Sequence, residues 1–350
     1  MSYHSNFILF SEDKSLVAWN YVDHIQYRLS LAHAARYIEL IYNPEAYNSD
    51  SSIDTDLENS SLFQKDGRRD RDWGWDRLSD IFHFGTKNLD TSARPNSDYS
   101  WADQYLCHCK TISQTPPPPE ENRGSCDHEA IKLPTPSNLE TSLQNALRER
   151  KTCRDFKDTP VTLEQLSSVL KSTLGISRIE SDPAVPENLA IRRFSPSGGG
   201  MNATNAYIYI RAVDKLKPGF YQFNRDSESL TLIRESTVKL GELTNGQHFS
   251  DNAAFCLFFT SRLDRLWWKY NHSRTYRMAL IELGHYSQTA LLSITAVGLK
   301  SWMTGALDDS TIELNLGINY SPEQLFFCVA AGHGTDSSIS QGLRHRLEQK

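Results

Sequence analysis

Apolar positions recur along this chain with different periods in different stretches, and those periods predict its elements. Between Tyr3 and Asn43 the runs NFILF and VAWNYV read as strands, and SLAHAARYIELIY carries its apolar residues at helical spacing. YNSDSSIDTDLENSS, which follows, is acidic and rich in serine and predicts a flexible loop. DWGWDRLSDIFHFGTKNLD then forms an aromatic patch compatible with a helix. From Thr111 to Pro136 the chain contains PPPPEENRGS. A tetraproline favours extended polyproline II, so a linker or a surface arm is expected there.

Past the prolines the pattern becomes regular. SNLETSLQNALRERK predicts a helix from Ser137 or Asn138 to Lys151, and PVTLEQLSSVLKSTLG a second, capped by Thr162 and stopped by Gly175. Strands are expected over Ala206 to Arg211, Gly219 to Phe223 and Leu230 to Arg234, the last two joined by a polar NRDSES turn. AFCLFFT (Ala254 to Thr260) and LFFCVAA (Leu325 to Ala331) are continuously apolar, as strands covered on both faces are. A long helix from about Tyr276 to Gly298 lies between them. Helices and strands alternate irregularly, which argues for an α+β fold over a Rossmann fold. Three parts follow: residues 1–110 as a small N-terminal α/β module, 111–136 as a proline-rich linker or arm, and 137–350 as the main domain.

Composition narrows the function classes. The formal charge of −6 and pI near 6.0 give no support for nucleic-acid binding, which needs a basic face. Arg262 to Arg277 is a local basic exception, read either as a solvated loop or as an anion or cofactor site. The opening MSYHSNFILFSEDKSL predicts no signal peptide. Met278 to Leu299 carries Glu282, His285, Ser287 and Gln288, which suits a buried helix better than a membrane span. Six scattered cysteines favour a reducing cytoplasm. Cys107, His108, Cys109, Cys126 and His128 cluster, but as C-x-C and C-x-H rather than C-x-x-C, so ordinary thiols are expected and no metal.

The remaining signal is RRFSPSGGGMNATNAYIY, three glycines ahead of a strand. Ser195-Pro-Ser-Gly-Gly-Gly200, Ala206-Tyr-Ile-Tyr-Ile and Pro218-Gly-Phe-Tyr-Gln-Phe are followed in order by Trp268-Lys-Tyr270, Tyr276-Arg277, Leu283-Gly-His285, Gly298-Leu299 and Ala331-Gly332. Upstream stands Arg150-Lys-Thr-Cys-Arg-Asp-Phe156. This ordered set, over roughly residues 138–334, resembles the SagB-type dehydrogenases, the azoline-oxidising branch of the nitroreductase-like flavoproteins. The resemblance implies a nitroreductase-like α+β fold: a central mixed, mainly antiparallel sheet flanked by helices, with a long central dimer helix. It implies FMN bound across a two-fold interface of a homodimer.

Each piece then has a physical role. Bare backbone at Gly198, Gly199 and Gly200 lets main-chain N–H groups approach the flat isoalloxazine ring. The resemblance implies that Ser195, Pro196, Ser197 and Gly332 complete the cofactor contacts. Arg150, Lys151, Thr152 and Arg154 are suited to the FMN phosphate, with Lys151 and Thr152 standing for a commoner arginine and serine. The resemblance makes Lys269 and Tyr270 the expected catalytic pair. Azoline oxidation removes a hydride and a proton, and one of the two is expected to be the base and the other to tune or orient it. His285 is expected either near the flavin or as a core histidine, and Arg344 or Arg346 either at the phosphate or in a solvated tail. Asn202, Ala203 and Asn205 depart from the His-Pro and glutamate common in the family, which bears on the substrate.

The Trp19-Asn-Tyr21 run resembles the opening of an N-terminal recognition module, with Trp19, Trp73, Trp75 and Phe82 available as peptide anchors or as packing residues. A precursor peptide is the implied substrate and a cyclodehydratase the implied partner. Two further readings stand beside this one: a stand-alone NAD(P)H-dependent flavin oxidoreductase on a small molecule, and a non-catalytic scaffold in a peptide-modifying complex.

Overall fold

A computed structural model of the chain describes residues 7–63, 77–86, 107–108, 110–119, 129–136, 139, 141–181, 190–270, 272–319 and 321–348. They fall into two compact units: the described residues before 95 with His272–Arg274, and the remainder.

The first unit begins with strands β1 (Phe7–Glu12), β2 (Ser15–Asn20) and β3 (Ile25–Leu29), an antiparallel meander with β2 in the middle. Helices α1 (Leu31–Tyr42), α2 (Ser52–Asn59) and α3 (Arg77–Gly85) follow. The apolar side of α1 packs Tyr37 and Leu40 against Ala18, Leu57, Leu62 and Phe63. The acidic, serine-rich segment is not a loop: α2 forms inside it, with Ser51 as N-cap accepting from the Asp54 amide. Asp54 is fully buried and takes a two-pronged bond from Arg36, Nε to Oδ1 and Nη2 to Oδ2, each 2.7 Å. That guanidinium, against the cost of burial, holds the Asp54 carboxyl down at about 2.

The second unit contains, in order, β4 (Ile131–Lys132), α4 (Leu143–Glu149), α5 (Leu163–Leu174), β5 (Ile176–Ile179), β6 (Ile191–Arg193), β7 (Thr204–Ile210), β8 (Gly219–Asn224), β9 (Ser229–Glu235), α6 (Leu240–Leu243), β10 (Phe255–Arg262), α7 (Leu263–Lys269), α8 (Thr275–Ala296), β11 (Lys300–Thr304), α9 (Asp309–Leu316), β12 (Glu323–Gly332) and α10 (Gln341–Glu348). Seven strands make one sheet in the order β11-β12-β10-β7-β8-β9-β4, and every ladder in it is antiparallel. The parallel component is confined to single bridges, Thr152 with Ser301 and Val161 with Val213. β5 and β6 form a separate hairpin.

Alternation along the strands feeds two cores. Ile208, Ile210, Leu257, Phe259, Val329 and Ala331 point to one face, where α5 and α8 bring Leu170, Leu283, Tyr286, Leu291 and Ile294. Tyr207, Tyr209, Cys256, Phe258, Cys328 and Ala330 point to the other, against Trp302, Leu240, Leu243 and Ile312. All eight residues of β10 are buried, which is why its sequence shows no polar alternation. α5 starts in the expected capping box, Thr162 with Gln165, and stops at Gly175, where a Cβ would stand 2.3 Å from the Lys171 carbonyl. α4 is shorter than expected: Ser142 caps it, and Ser137 and Asn138 lie outside the described residues.

Candidate active site

The β6–β7 connection carries the glycines. Gly198–Gly200 form one 3-10 turn, with Gly199 at φ +62° and Gly200 at φ +71°, the left-handed region that glycine occupies without a steric cost. At Gly199 there is a second reason for glycine. A Cβ built there would lie 2.2 Å from Tyr270 Oη and 3.0 Å from two further atoms of that ring. The bare backbone makes room for a tyrosine of the same chain.

The loop is fastened to α8 by its serines. Ser197 Oγ donates to Glu282 Oε2 at 2.7 Å and accepts from the Asn202 amide at 2.7 Å, while Glu282 Oε1 accepts from the Thr204 amide at 2.9 Å. Glu282 is buried, and these bonds to its carboxyl serve the first residue of β7 and the turn before it together. Ser195 Oγ pairs with Thr289 Oγ1 at 2.7 Å, and His285 Nδ1 stands 3.4 Å from the Pro196 carbonyl. Both serine hydroxyls are thus engaged inside the protein. The sequence reading missed Glu282 and Thr289 as site residues. The available signal was a lone carboxylate in an otherwise apolar helical run.

Lys269 and Tyr270 sit where α7 ends. The Tyr270 amide closes the helix on the Leu266 carbonyl at 2.9 Å, and Tyr270 itself is extended, at φ −127° and ψ 94°. Lys269 is 1% exposed, and its Nζ donates to the Gly199 carbonyl at 2.9 Å. The same ammonium stands 5.6 Å from the centre of the Tyr270 ring. At the start of α7, Arg262 and Asp264 form a buried bidentate pair at 2.8 and 2.6 Å, so part of the local basic excess is internally neutralised.

The basic cluster is built differently. Thr152 bridges to Ser301 beside the edge strand β11, and the Cys153 amide donates to the Ser301 carbonyl at 2.8 Å. Gly334 is glycine because a Cβ there would meet Cys153 Sγ at 2.7 Å. Lys151 Nζ reaches Asp336 at 3.2 Å and Lys300 Nζ binds the other oxygen of the same carboxylate. The hydrogen bonds from Lys300 and then Lys151 hold the Asp336 carboxyl below the usual carboxylate range. Arg154 donates to the Ser338 carbonyl at 2.7 Å and lies over the Phe249 ring. Arg344 Nη2 donates to Ser337 Oγ at 2.9 Å. The Arg346 side chain lies outside the described residues.

The structure therefore brings Lys269 and Tyr270 onto Gly199, while Arg154 of the basic cluster lines a different groove from Gly199. Arg178, Arg192, Phe194, Ser197, Gly199 and Asn202 line one groove. Arg154, Phe156, His248, Phe249, Asn252 and Gln341 line another. Gly332 is explained by packing, since a Cβ there would stand 2.8 Å from the Ala254 amide nitrogen. Trp19 packs edge-on to the buried Tyr21, with ring centres 6.1 Å apart; Trp73 and Trp75 lie outside the described residues. Cys109, Cys126 and His128 also lie outside them, and no group of three metal-ligating side chains occurs among those described. No helix among the described residues is long and apolar enough to cross a membrane.

Comparison with known proteins agrees with this architecture. A protein of Methanocaldococcus jannaschii named as a candidate nitroreductase is 25% identical over 196 residues, which are 55% of this chain and 93% of that one. The trifolitoxin operon protein TfxC of Rhizobium leguminosarum bv. trifolii is 24% identical over 255 residues, 70% of this chain and 68% of that one. The crystal structure of a candidate nitroreductase from Anabaena variabilis superposes with a TM-score of 0.50 at 22% identity, covering 59% of this chain; this chain spans 42% of that longer one. The model of the nitroreductase family matches residues 147–333, more than half of the chain, and the chain belongs to that family.

Proposed function

We propose that the chain is an FMN-dependent dehydrogenase that oxidises thiazoline or oxazoline rings in a ribosomally made peptide to thiazole or oxazole, acting in the cytoplasm as a homodimer. The observation that carries this reading is the bond from Lys269 Nζ to the Gly199 carbonyl, which seats the Lys-Tyr pair of the SagB-type motif against the glycine turn. The residues suit the cofactor. Gly198 and Gly199 open a helical turn, where the first N–H groups have no partner within it, and Gly199 faces a groove lined by Arg178 and Arg192. Arg150, Lys151, Thr152 and Arg154 supply the cations and hydroxyl that a phosphate dianion needs. FMN, when bound, supplies a hydride acceptor that oxygen regenerates.

The chain's own share is the proton. As the hydride leaves one ring carbon, the adjacent carbon must lose a proton, and the ring gains a double bond. Tyr270 Oη takes that proton. It lies at the turn and is only partly buried, whereas Lys269 is enclosed with its ammonium on a backbone carbonyl. Lys269 orients the tyrosine, and its charge close to the ring stabilises the phenolate that accepts the proton.

Two observations support the assembly. Gly199 and Arg154 line separate grooves of a single chain, and a second copy offers a way for one FMN to meet both motifs. α8 carries an exposed stripe of Leu280, Ile281, Gly284, His285 and Gln288, suited to a second copy of itself. The N-terminal unit serves peptide recognition: the outer strand β3 of its three-stranded sheet offers an edge to which an extended peptide adds. The similarity to TfxC runs over more residues than the family domain holds, so it extends beyond the catalytic part. A cyclodehydratase that makes the azolines is the partner.

The test combines the visible spectrum of the purified protein with mass analysis of an azoline peptide. Released FMN and loss of two hydrogens from the peptide are expected. Tyr270→Phe should lower turnover by about 10²–10⁴-fold with FMN retained, and Lys269→Ala should lower it with a disordered glycine turn. Full oxidation by both variants, or turnover of NAD(P)H with quinones and none of the peptide, defeats the reading.

A further inference from the structure

We infer that His108, three residues ahead of the proline-rich arm, is a positioning residue for the Lys269–Tyr270 pair. This rests on the reading that the pair performs the chemistry. A helix leaves the carbonyls of its last turn without internal partners, and Lys269 is the last residue of α7. His108 Nε2 lies 2.9 Å from the Lys269 carbonyl oxygen, from 161 residues away in sequence. A carbonyl only accepts, so Nε2 carries the hydrogen and donates it. The same imidazole lies nearly parallel to the Tyr270 ring, at 20° with centres 6.3 Å apart. The next carbonyl, that of Tyr270, accepts from Thr275 Oγ1 at 3.3 Å.

The dipeptide is therefore held from three directions. Gly199 takes the lysine head, His108 takes the lysine carbonyl and lies beside the tyrosine ring, and Thr275 takes the tyrosine carbonyl. The arm is anchored to α7 at two further points: Trp268 Nε1 donates to the Thr115 carbonyl at 3.1 Å, and Arg262 Nη1 to the Pro119 carbonyl at 3.0 Å. Residues 108, 115 and 119 thus meet 269, 268 and 262, so the segment starts at the catalytic pair and runs back along the helix against its direction. The residues that lead into the proline-rich linker set where the base stands.

The test compares His108→Ala and His108→Gln with the wild type in the full chain, reading amide hydrogen exchange over residues 197–202 and 266–270 beside the kinetics of azoline oxidation. Loss of one hydrogen bond to a fixed carbonyl predicts exchange about tenfold faster in His108→Ala, with kcat about tenfold lower and the peptide KM unchanged. Glutamine keeps an N–H donor at similar reach and should restore most of both. Exchange in His108→Ala equal to wild type overturns the inference, whatever the substrate proves to be. Failure of the wild type to oxidise azolines defeats the reading of the pair and leaves the exchange result to decide the role of His108. If His108→Ala does not fold, Trp268→Phe removes one anchor of the arm. Faster exchange over 266–270 in that variant supports the inference, and no change overturns it.

Discussion

The glycine turn and the basic cluster are both short motifs that suggest cofactor binding, yet the protein builds them by opposite rules. In the turn, polar groups are spent on the protein itself: Ser195 on Thr289, Ser197 on Glu282, Lys269 on Gly199. In the cluster Lys151 stays accessible, 55% exposed and sharing one carboxylate, Asp336, with Lys300, while the half-buried Arg154 binds the Ser338 carbonyl. The difference teaches what each can do. A surface held by buried bonds and by a left-handed backbone keeps one shape, as a site that positions a proton acceptor must. Exposed cations can exchange a protein carboxylate for another anion at little cost to the fold.

The comparison is attacked hardest at Gly199. Gly199→Ala puts a Cβ within 2.2 Å of Tyr270 Oη and an alanine at φ +62°. The conformation costs about 1–2 kcal/mol and the overlap about 1–3 more, so a loss of about 3 kcal/mol is expected in denaturant unfolding. In the double variant with Tyr270→Phe the closest overlap disappears, while two ring atoms stay at 3.0 Å. Part of the loss should return, as a coupling between the two sites. Additivity of the two changes would show that the turn and the tyrosine are not packed as one unit.

Glu282 is the next test. Glu282→Ala leaves Ser197 Oγ without its acceptor and the buried Thr204 amide without one, which predicts a loss of about 2–3 kcal/mol. Glu282→Gln keeps the shape and one acceptor oxygen, and should cost about 1 kcal/mol. Equal losses would mean that the carboxyl fills space rather than tying the turn to α8.

Much of this architecture was legible in the sequence, and the limits have physical causes. Strand interiors such as Phe255 to Thr260 announce themselves because burial on both faces removes all polar alternation. The Thr162 cap and Gly175 stop are local, within one turn of the residues they serve. The helix Ser52–Asn59 was illegible because its stability comes from Asp54 meeting Arg36, a tertiary pair that composition cannot reveal. The motif order pointed to Lys269 and Tyr270, but it gave the bare backbone of Gly199 to the cofactor ring and did not show that the Tyr270 side chain also needs it. His108 stood in a cluster that read as loop thiols. Contacts made across more than a hundred residues leave no trace in spacing.

The smallest effect is expected at the cluster, and it depends on pH. Asp336 is exposed, and its carboxyl is held below its ordinary range by Lys300 and Lys151. A depressed folded value contributes stability that is present above the unfolded value, about 3.9, and fades as the pH falls below it. Asp336→Asn should therefore differ slightly from wild type at pH 7 and match it once the wild-type carboxyl is protonated. Because the pair is exposed and screened, the difference should be small and shrink with salt. The informative part is the second readout. With Asp336 neutral, Lys151 and Lys300 lose a competing anion, so inorganic phosphate or FMN should raise the melting temperature of Asp336→Asn more than that of the wild type. Lys151→Ala should reduce that gain with little change in stability alone. A wild-type response equal to that of Asp336→Asn would mean that the lysines are committed to the fold, as the serines of the glycine turn are, and the contrast between the two motifs would fall.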